Sequence, residues 1–385
     1  MRQALALERN VVAASGAVFL LGFGEELWKK FLPKYMEALG AGAVAIGLFG
    51  TAETFCDAVY QYPGGWLADR VGRRRAFVVF GGVASVGYLV YLVAPSWPWL
   101  FVGLALAMTW QSMGSPATFA VIGDALPRER RAMGFTLQSI LRRIPMVISP
   151  LVGGALIAAL GITSGLRIGF AVTLALAGAT ALLVLTMNLP VAVPHPSTFA
   201  GVWRSVPPVL RRLLVSDIVI RTCEGMAGVF IVLYVTGVTG ASLGLYGVLV
   251  AIQMTTSILV YLPAARIADR LGRKPFVAAT FLAFALFPVA VALAGSLPAL
   301  VGAFVIGGLR EIGEPARKAM IVDLADSRMR ARTVGLYYLV RGLAVTPAAM
   351  VGGLLWRIAP ALSLIAAGAV GLAGTIVFLA TVEEG

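Results

Sequence analysis

The chain has 385 residues, of which 59% are hydrophobic and only 13% are charged, and its mean hydropathy is +0.90. Soluble domains carry about a quarter charged residues, so this composition excludes an ordinary soluble protein and indicates many membrane-spanning segments. The formal net charge of +13 does not indicate nucleic acid here, because the cations lie in short connections where they orient the chain and meet anionic lipid.

Breaks in hydropathy predict twelve membrane-spanning helices. The predicted spans are 11–38, 43–68, 75–94, 98–123, 133–160, 166–189, 209–236, 242–267, 275–294, 298–324, 333–357 and 361–382. Barrel strands would alternate apolar and polar residues, whereas these runs are apolar, so the predicted fold class is an all-α membrane protein. The first run lacks a small-residue cleavage site, which predicts an uncleaved span rather than a signal peptide.

Basic residues are concentrated in alternate connections. One set of connections contains Arg70, Arg73, Arg74, Arg75, Arg128, Arg130, Arg131, Arg204, Arg211, Arg212, Arg270, Arg273, Lys274, Arg328, Arg330 and Arg332. The opposite set, such as 94–99 and 236–242, is almost uncharged. The positive-inside rule therefore predicts a multi-pass protein of the cytoplasmic membrane with both termini in the cytoplasm.

The second half of the sequence repeats the first. ADRVGR at 68–73 recurs as ADRLGR at 268–273, and residues 110–132 align without gaps with residues 309–331. The predicted organisation is an N-terminal six-helix bundle (1–189), a cytoplasmic linker (190–208) and a C-terminal six-helix bundle (209–385). Internal duplication of this kind is typical of secondary transporters, whose substrate site lies between the halves near the bilayer midplane.

The turn between the second and third spans carries the motif G-x-L-A-D-R-x-G-R-R at residues 65–74, with a copy at 268–274. Together with the six-plus-six duplication, this motif resembles the major facilitator superfamily. The resemblance implies two pseudo-symmetric bundles that alternate access to a central site, with the motif latching the halves on the cytoplasmic side. The residues that it assigns to this gating role are Gly65, Asp69, Arg70, Gly72, Arg73, Asp269, Arg270, Gly272 and Arg273. Alternatively, the basic turn serves only as a topology signal.

Charged residues also lie inside the predicted spans, where each would cost about 2.5–3.5 kcal/mol if it faced lipid near the bilayer centre. They must therefore pair with one another or line a wet cavity. A spacing of four residues predicts ion pairs on one helix face for Glu25–Lys29, Glu26–Lys30 and Asp217–Arg221.

Other intramembrane charges are candidates for proton coupling and for substrate binding. Glu53 and Asp57 share a helix face with no cation nearby in the sequence, and two adjacent carboxylates repel when both are charged, so one is expected to hold a proton. The candidate proton-coupling and cavity residues are Glu25, Glu26, Glu53, Asp57, Glu224, Glu311 and Glu314. The cations that could hold an anionic substrate group are Arg142, Arg143, Arg310 and Arg341.

The fifth span contains SPLVGGAL, in which Pro150, Gly153 and Gly154 match the G-P-x-x-G-G motif of proton-coupled exporters in the superfamily that the chain resembles. Ser149 replaces the first glycine of that motif, and Trp110 stands where these exporters have an arginine in the fourth span. Both departures count against a standard drug exporter. Small residues can also simply allow close helix packing.

The sequence thus predicts a monomeric secondary transporter that exports small organic molecules in exchange for protons. Its energy source is the proton gradient, and no bound cofactor or metal is expected. The alternative is a proton-linked importer of an organic anion or zwitterion. An intramembrane enzyme is disfavoured because the spans contain no nucleophile–histidine pair and no metal-ligand cluster, and a primary pump is disfavoured because no nucleotide-binding loop occurs.

Overall fold

The structure, a computed structural model, describes residues 9–113, 128–187, 206–324 and 330–382, and regular structure in these ranges is helical throughout. The α-helices are α1 (Arg9–Glu26), α2 (Leu32–Ala38), α3 (Ala43–Val71), α4 (Arg73–Val93), α5 (Pro98–Met108), α6 (Arg128–Leu160), α7 (Ile162–Leu185), α8 (Pro208–Gly228), α9 (Ile231–Leu233), α10 (Leu243–Leu271), α11 (Lys274–Leu293), α12 (Leu297–Leu309), α13 (Glu314–Asp323), α14 (Arg330–Val345), α15 (Ala348–Ile358) and α16 (Pro360–Thr381). Eight helical stretches of the described chain are long and apolar enough to cross a membrane. The predicted all-α membrane fold is confirmed.

The chain divides into two compact units. Unit 1 comprises Met1–Gly40 and Cys56–Pro196, and unit 2 comprises Ala41–Phe55 and Ser197–Gly385. The predicted linker at 190–208 lies almost wholly outside the described residues, so the domain boundaries drawn from it stay a prediction.

The same packing pattern occurs in each unit. In unit 1, α1 packs along α6 and α7, while α4 packs against α5 and α7. In unit 2, α8 packs along α15 and α16, while α11 packs against α12 and α16. The repeat in the sequence is therefore matched by a repeat in these helix–helix contacts.

Several spans that hydropathy predicted as continuous helices are interrupted. The first span is broken between α1 and α2 by a 3₁₀ turn at Lys29–Phe31, and the seventh is broken after α8 and continues through α9 into a π-helical turn at Tyr234–Val238. The tenth span is broken between α12 and α13, and the eleventh between α14 and α15. Hydropathy measures the length of an apolar run and carries no information on whether its backbone hydrogen bonds are continuous.

The break in the first span coincides with a close contact to the glycine motif of the fifth. Phe31 N donates to Trp28 O at 2.9 Å, so the Leu27 carbonyl is not the acceptor it would be in an uninterrupted α-helix. A Cβ atom added to Gly153 would lie 2.0 Å from the Leu27 carbonyl oxygen. Only glycine allows the two backbones to approach this closely, which gives the P-x-x-G-G stretch a packing role.

Unit 2 contains the equivalent contact. Phe230 N donates to Ala227 O at 2.9 Å, and a Cβ atom added to Gly352 would lie 2.1 Å from the Met226 carbonyl oxygen. That oxygen also accepts a hydrogen bond from Ser363 Oγ at 3.5 Å. The interruption of the first helix in each bundle is thus part of the repeated architecture.

The two motif turns are built alike. Gly72 between α3 and α4 has φ 88°, and Gly272 between α10 and α11 has φ 95°, a backbone conformation that favours glycine. Arg74 Nη2 donates to Leu185 O at the end of α7 at 2.7 Å, and Lys274 Nζ donates to Leu379 O near the end of α16 at 3.2 Å. Both contacts place a cation at the negative end of a helix, which is favourable.

The motif copy in unit 2 also forms an ion pair, from Arg273 Nη1 to Asp323 Oδ2 at 2.6 Å. Arg70 is exposed. The side chains of Asp69, Arg73, Asp269 and Arg270, and the surroundings of Gly65, lie outside what the structure describes. The gating role that the resemblance implies therefore stays a prediction.

We predict that Gly153→Ala destabilises the protein by about 1–3 kcal/mol, because the added methyl group must push the Leu27 carbonyl away. Thermal unfolding of the purified protein in detergent, followed by tryptophan fluorescence, measures the effect. Gly178→Ala in α7 is the matched control, since a Cβ atom there meets nothing within 4 Å. Equal unfolding temperatures for the two variants would show that the close contact is unimportant.

Candidate functional site

Among the described residues, the largest connected group of buried and half-buried charges lies in unit 2. α8 carries Asp217, Arg221 and Glu224 at a helical spacing that places them along one face. Glu314 and Arg317 lie one turn apart in α13, while Tyr337 and Arg341 do so in α14. We call the connected set the arginine–carboxylate cluster, and its members are Asp217, Arg221, Glu224, Arg310, Glu314, Arg317, Tyr337 and Arg341.

Asp217 is fully buried at the centre of this cluster. Its Oδ2 atom accepts hydrogen bonds from Arg317 Nη1 at 2.6 Å, from Tyr337 Oη at 3.0 Å and from Arg341 Nη1 at 3.2 Å. Its Oδ1 atom lies 3.7 Å from Arg221 Nε and makes no hydrogen bond. One carboxylate thus joins α8, α13 and α14 in a part of the bundle where an unpaired charge would be costly.

Glu314 and Glu224 extend the cluster in two directions. Glu314 accepts from Arg221 Nη2 at 2.5 Å and from Arg317 at 3.1 Å and 2.8 Å, the latter pair forming a bidentate contact. Glu224 accepts from Arg221 Nη1 at 2.7 Å, and its other oxygen lies 3.6 Å from Arg310 Nη1. Arg221 therefore donates hydrogen bonds to two carboxylates and also lies near Asp217, whereas Arg310 lies at the edge of the cluster.

Aromatic rings cover the guanidinium groups at the edge of the cluster. The Arg310 guanidinium carbon lies 4.9 Å from the ring centroids of both Phe284 and Phe287, and Arg221 lies 4.8 Å from Phe284. The Arg341 guanidinium lies 4.6 Å from the Tyr338 ring. These cation–π contacts hold the side chains in fixed orientations within the bundle.

Unit 1 has a different arrangement at the break in its first span. Glu25 and Glu26, the last residues of α1, are each only 9% exposed. Tyr88 Oη donates to Glu25 Oε1 at 2.5 Å, while Glu26 Oε2 is buried and makes no hydrogen bond. Glu25 and Glu26 thus form a pair of adjacent buried carboxylates, and the Lys29 and Arg142 charges act on Glu25 without a direct ion pair among the described residues.

The expected Glu25–Lys29 and Glu26–Lys30 pairs do not form direct ion pairs among the described residues, although the Lys29 charge acts on the Glu25 carboxylate. α1 ends at Glu26, so the lysines follow in a turn and a 3₁₀ helix and no longer lie one α-helical turn above the glutamates. Lys29 Nζ instead donates to Gln111 Oε1 at 3.1 Å. The Asp217–Arg221 pair does form, but its 3.7 Å separation makes it the weakest contact that Asp217 has.

The remaining predicted site residues have varied surroundings. α3 runs unbroken through Glu53 and Asp57, so they lie one turn apart as expected, and Asp57 Oδ1 accepts from Ser112 Oγ at 2.7 Å. Arg142 is exposed, whereas Arg143 and Glu311 are half-buried. Their roles in coupling or substrate binding stay predictions, as do those of Pro150, Gly153 and Gly154 in export.

Sequence reasoning missed Arg317 and Tyr337, and it treated Asp217 as half of a local pair. Arg317 lies inside the predicted tenth span, three residues after Glu314, so an intramembrane arginine at helical spacing from an acid was a visible signal. Tyr337 carried no signal of this kind. Its role follows only from the packing of α14 beside α8.

Comparison with known proteins gives the class of the chain. Residues 14–222 and 213–385 each match the sequence profile of the Major Facilitator Superfamily. The chain belongs to this superfamily, as its motifs and duplication predicted, and it is a multi-pass membrane transporter.

The chain is 23% identical over 366 residues to an uncharacterised transporter of the superfamily from Methanocaldococcus jannaschii, a match that covers 92% of this chain and 90% of the relative. It is 22% identical over 197 residues to the quinolone resistance protein NorA of Staphylococcus aureus, covering 51% of this chain and 48% of NorA. Among solved structures, the nucleoside transporter NupG is similar with a TM-score of 0.83 at 12% identity, covering 97% of this chain and all of NupG. This structural likeness supports the fold alone.

We predict that Asp217→Asn destabilises the protein by about 3–5 kcal/mol, because it removes the fully buried negative charge that Arg317, Arg341 and Arg221 share. Asp323→Asn is the control. It removes an aspartate–arginine pair with the same 2.6 Å separation, but the Asp323 side chain is 59% exposed. We expect little change in that variant, since solvent screens exposed pairs. Similar unfolding temperatures for both variants would contradict a stabilising role of the buried cluster.

Proposed function

We propose that this transporter exports a small organic solute across the cytoplasmic membrane by alternating access, in exchange for protons. The observation that carries the proton coupling is the Glu25–Glu26 pair. Both carboxylates are buried beside a break in a membrane helix, and Glu25 accepts a hydrogen bond from the Tyr88 hydroxyl. Two adjacent buried carboxylates repel when both are charged, so the pair is a natural place for a proton to bind and leave during transport.

The proposal of export rests on two further observations. The P-x-x-G-G stretch resembles the motif of proton-coupled exporters, and its Gly153 packs against the carbonyl of Leu27, the residue that follows Glu26. The motif therefore contacts the backbone beside the carboxylate pair, so a movement of α6 would displace the backbone next to Glu26. The partial similarity to NorA, named for quinolone resistance, points in the same direction.

A second candidate is proton-linked import of an organic anion. The arginine–carboxylate cluster favours it, because four arginines face three carboxylates and leave one positive charge in excess. An anion that binds with a proton is drawn inward by the proton gradient, whereas a solute exchanged for a proton is driven outward. The two candidates therefore differ in the sign of the coupled proton movement.

The remaining proposals concern topology and assembly. The basic connections place both termini on the cytoplasmic side by the positive-inside rule. A monomer suffices for transport, because each chain contains both repeated bundles. Membrane lipid meets the exposed apolar side chains, and the proton gradient supplies the energy without a bound cofactor.

The direction of coupling is testable in proteoliposomes that trap the pH indicator pyranine, with the membrane voltage clamped and protein-free liposomes as the blank. A quinolone is the first probe, followed by compounds that raise the unfolding temperature of the protein. Exchange for protons predicts that the lumen becomes alkaline as solute enters. An acidic lumen would support the second candidate, and solute movement without any pH change would contradict proton coupling.

We predict that Glu25→Gln and Glu26→Gln abolish this pH change but leave tracer exchange of the same solute at equal pH largely intact. Exchange requires only that the loaded site alternates, whereas coupled movement requires the proton. Glu37→Gln is the matched control, because Glu37 lies in α2 with its side chain 47% exposed in an ion pair with Lys34. If both variants retain wild-type coupling, attention moves to Glu53, Asp57, Glu224, Glu311 and Glu314. Loss of exchange as well would place the two glutamates in the solute site or in the fold.

We also predict that Asp69→Asn strongly reduces turnover with near-normal insertion into the membrane. The change keeps the side-chain size and removes the charge to which the family resemblance assigns gating. Transport rate per inserted molecule is the measurement. A wild-type rate would contradict the gating role, and loss of inserted protein would favour a purely structural role.

A further inference from the structure

We propose that Arg310 binds the anionic group of the transported solute, a carboxylate, sulfonate or phosphonate, with Arg341 as a second cation of the same unit. This inference rests on the proposed transport function and names its substrate class. An arginine has five N–H donors. Among the described residues, Arg310 uses one in a hydrogen bond, from Nε to Gly307 O at 2.8 Å, and its contact with Glu224 at 3.6 Å is too long for another.

The other arginines of the cluster are better satisfied. Arg317 is only 2% exposed and forms hydrogen bonds from Nε, Nη1 and Nη2 to Glu314 and Asp217. Arg221 donates from both Nη1 and Nη2. By contrast, Arg310 and Arg341 each make one hydrogen bond. The cluster thus contains two arginines with two or more hydrogen bonds to carboxylates, Arg317 and Arg221, and two with only one hydrogen bond among the described residues, Arg310 and Arg341.

The surroundings of Arg310 determine how a ligand can approach it. The Phe284 and Phe287 rings lie against its guanidinium group, and both are buried. A ring-covered face leaves the N–H groups at the edge of the guanidinium plane as the available surface. That edge presents two parallel donors, which match the two oxygens of a carboxylate or sulfonate.

The position of Arg310 in the chain supports the same conclusion. Arg310 follows the last residue of α12 and lies in the turn before α13, so it occupies a break in a membrane helix. Interrupted membrane helices commonly line substrate sites. Glu311 is next to it in sequence but is not among its contacts, so the neighbouring carboxylate does not fill the open donors.

The charge of the cluster provides a reason for anion binding. Three carboxylates face four arginines, and the excess positive charge lies in a bundle where unpaired charge is unfavourable. An anion at the open edge of Arg310 would neutralise that excess. A neutral solute of the same shape would leave the excess positive charge of the cluster unneutralised, so the site should bind the anion more tightly than the neutral solute.

The test is binding to the purified full-length protein in detergent at fixed pH and constant ionic strength, measured by thermal shift and calorimetry. The probes are benzoate and benzenesulfonate, with benzamide and benzylammonium as neutral and cationic counterparts. We expect the two anions to bind at millimolar concentrations and the counterparts not to bind. Arg310→Gln should weaken anion binding about ten- to a hundredfold, since it removes charged hydrogen bonds.

Arg357→Gln is the matched control, because Arg357 is an exposed arginine in the last turn of α15 in the same unit. It should bind the anions like the wild type. Arg310→Lys keeps the charge but removes the two parallel N–H donors of the guanidinium group, so it should bind benzoate more weakly than the wild type. This variant replaces Arg310→Gln in the test if Arg310→Gln does not fold.

Equal binding of benzoate and benzamide, absence of anion binding to the wild type, or wild-type affinity in the Arg310 variants would each overturn the proposal. The measurement uses no proton gradient. Anion binding without coupled proton movement would therefore contradict proton coupling and not this inference, and the reverse result would contradict only the inference.

Discussion

Asp217 has to keep its carboxylate satisfied at a fully buried position, and the charged part of unit 2 is arranged around that need. Arg317, Arg341 and Tyr337 reach it from two other helices, and Glu314 in turn satisfies Arg317 and Arg221. Each arginine or carboxylate that contacts Asp217 or its partners carries a charge that also needs a partner. The resulting chain of ion pairs extends to Arg310. The hydrogen-bonded centre of the cluster and the unused donors of Arg310 at its edge both follow from the buried Asp217 carboxylate.

The sequence was sufficient to predict the spans, the duplication and the superfamily, because these depend on apolar run length and on motifs that recur along the chain. It did not predict the breaks at Glu26 and Leu309, because a broken helix and a continuous one have the same hydropathy. The pairing error at Lys29 follows from this, since an i,i+4 argument assumes an unbroken helix. Tyr337 could not have been identified, because its partner Asp217 is brought close only by packing between helices.

The two units share a scaffold but differ in chemistry. Shifting the sequence by 199 residues pairs Asp217 with Val18 and Arg310 with Gln111, whereas Glu224 is paired with Glu25. The shared features are the interrupted first helix, the glycine contact, one glutamate beside it and the arginine pair Arg142 and Arg341. The extra charges belong to unit 2 alone among the described residues. A scaffold that was duplicated whole has therefore been specialised, with a sparsely paired carboxylate site in one copy and a dense ionic site in the other.

Arg74 and Lys274 acquire two successive roles during biogenesis. In the topology proposed from the positive-inside rule, they keep a hairpin on the cytoplasmic side during insertion, before α7 or α16 has been synthesised. In the folded protein the same side chains hold the ends of those later helices through Leu185 O and Leu379 O. Each motif turn can therefore make its helix-end contact only after the last helix of the same bundle has been synthesised.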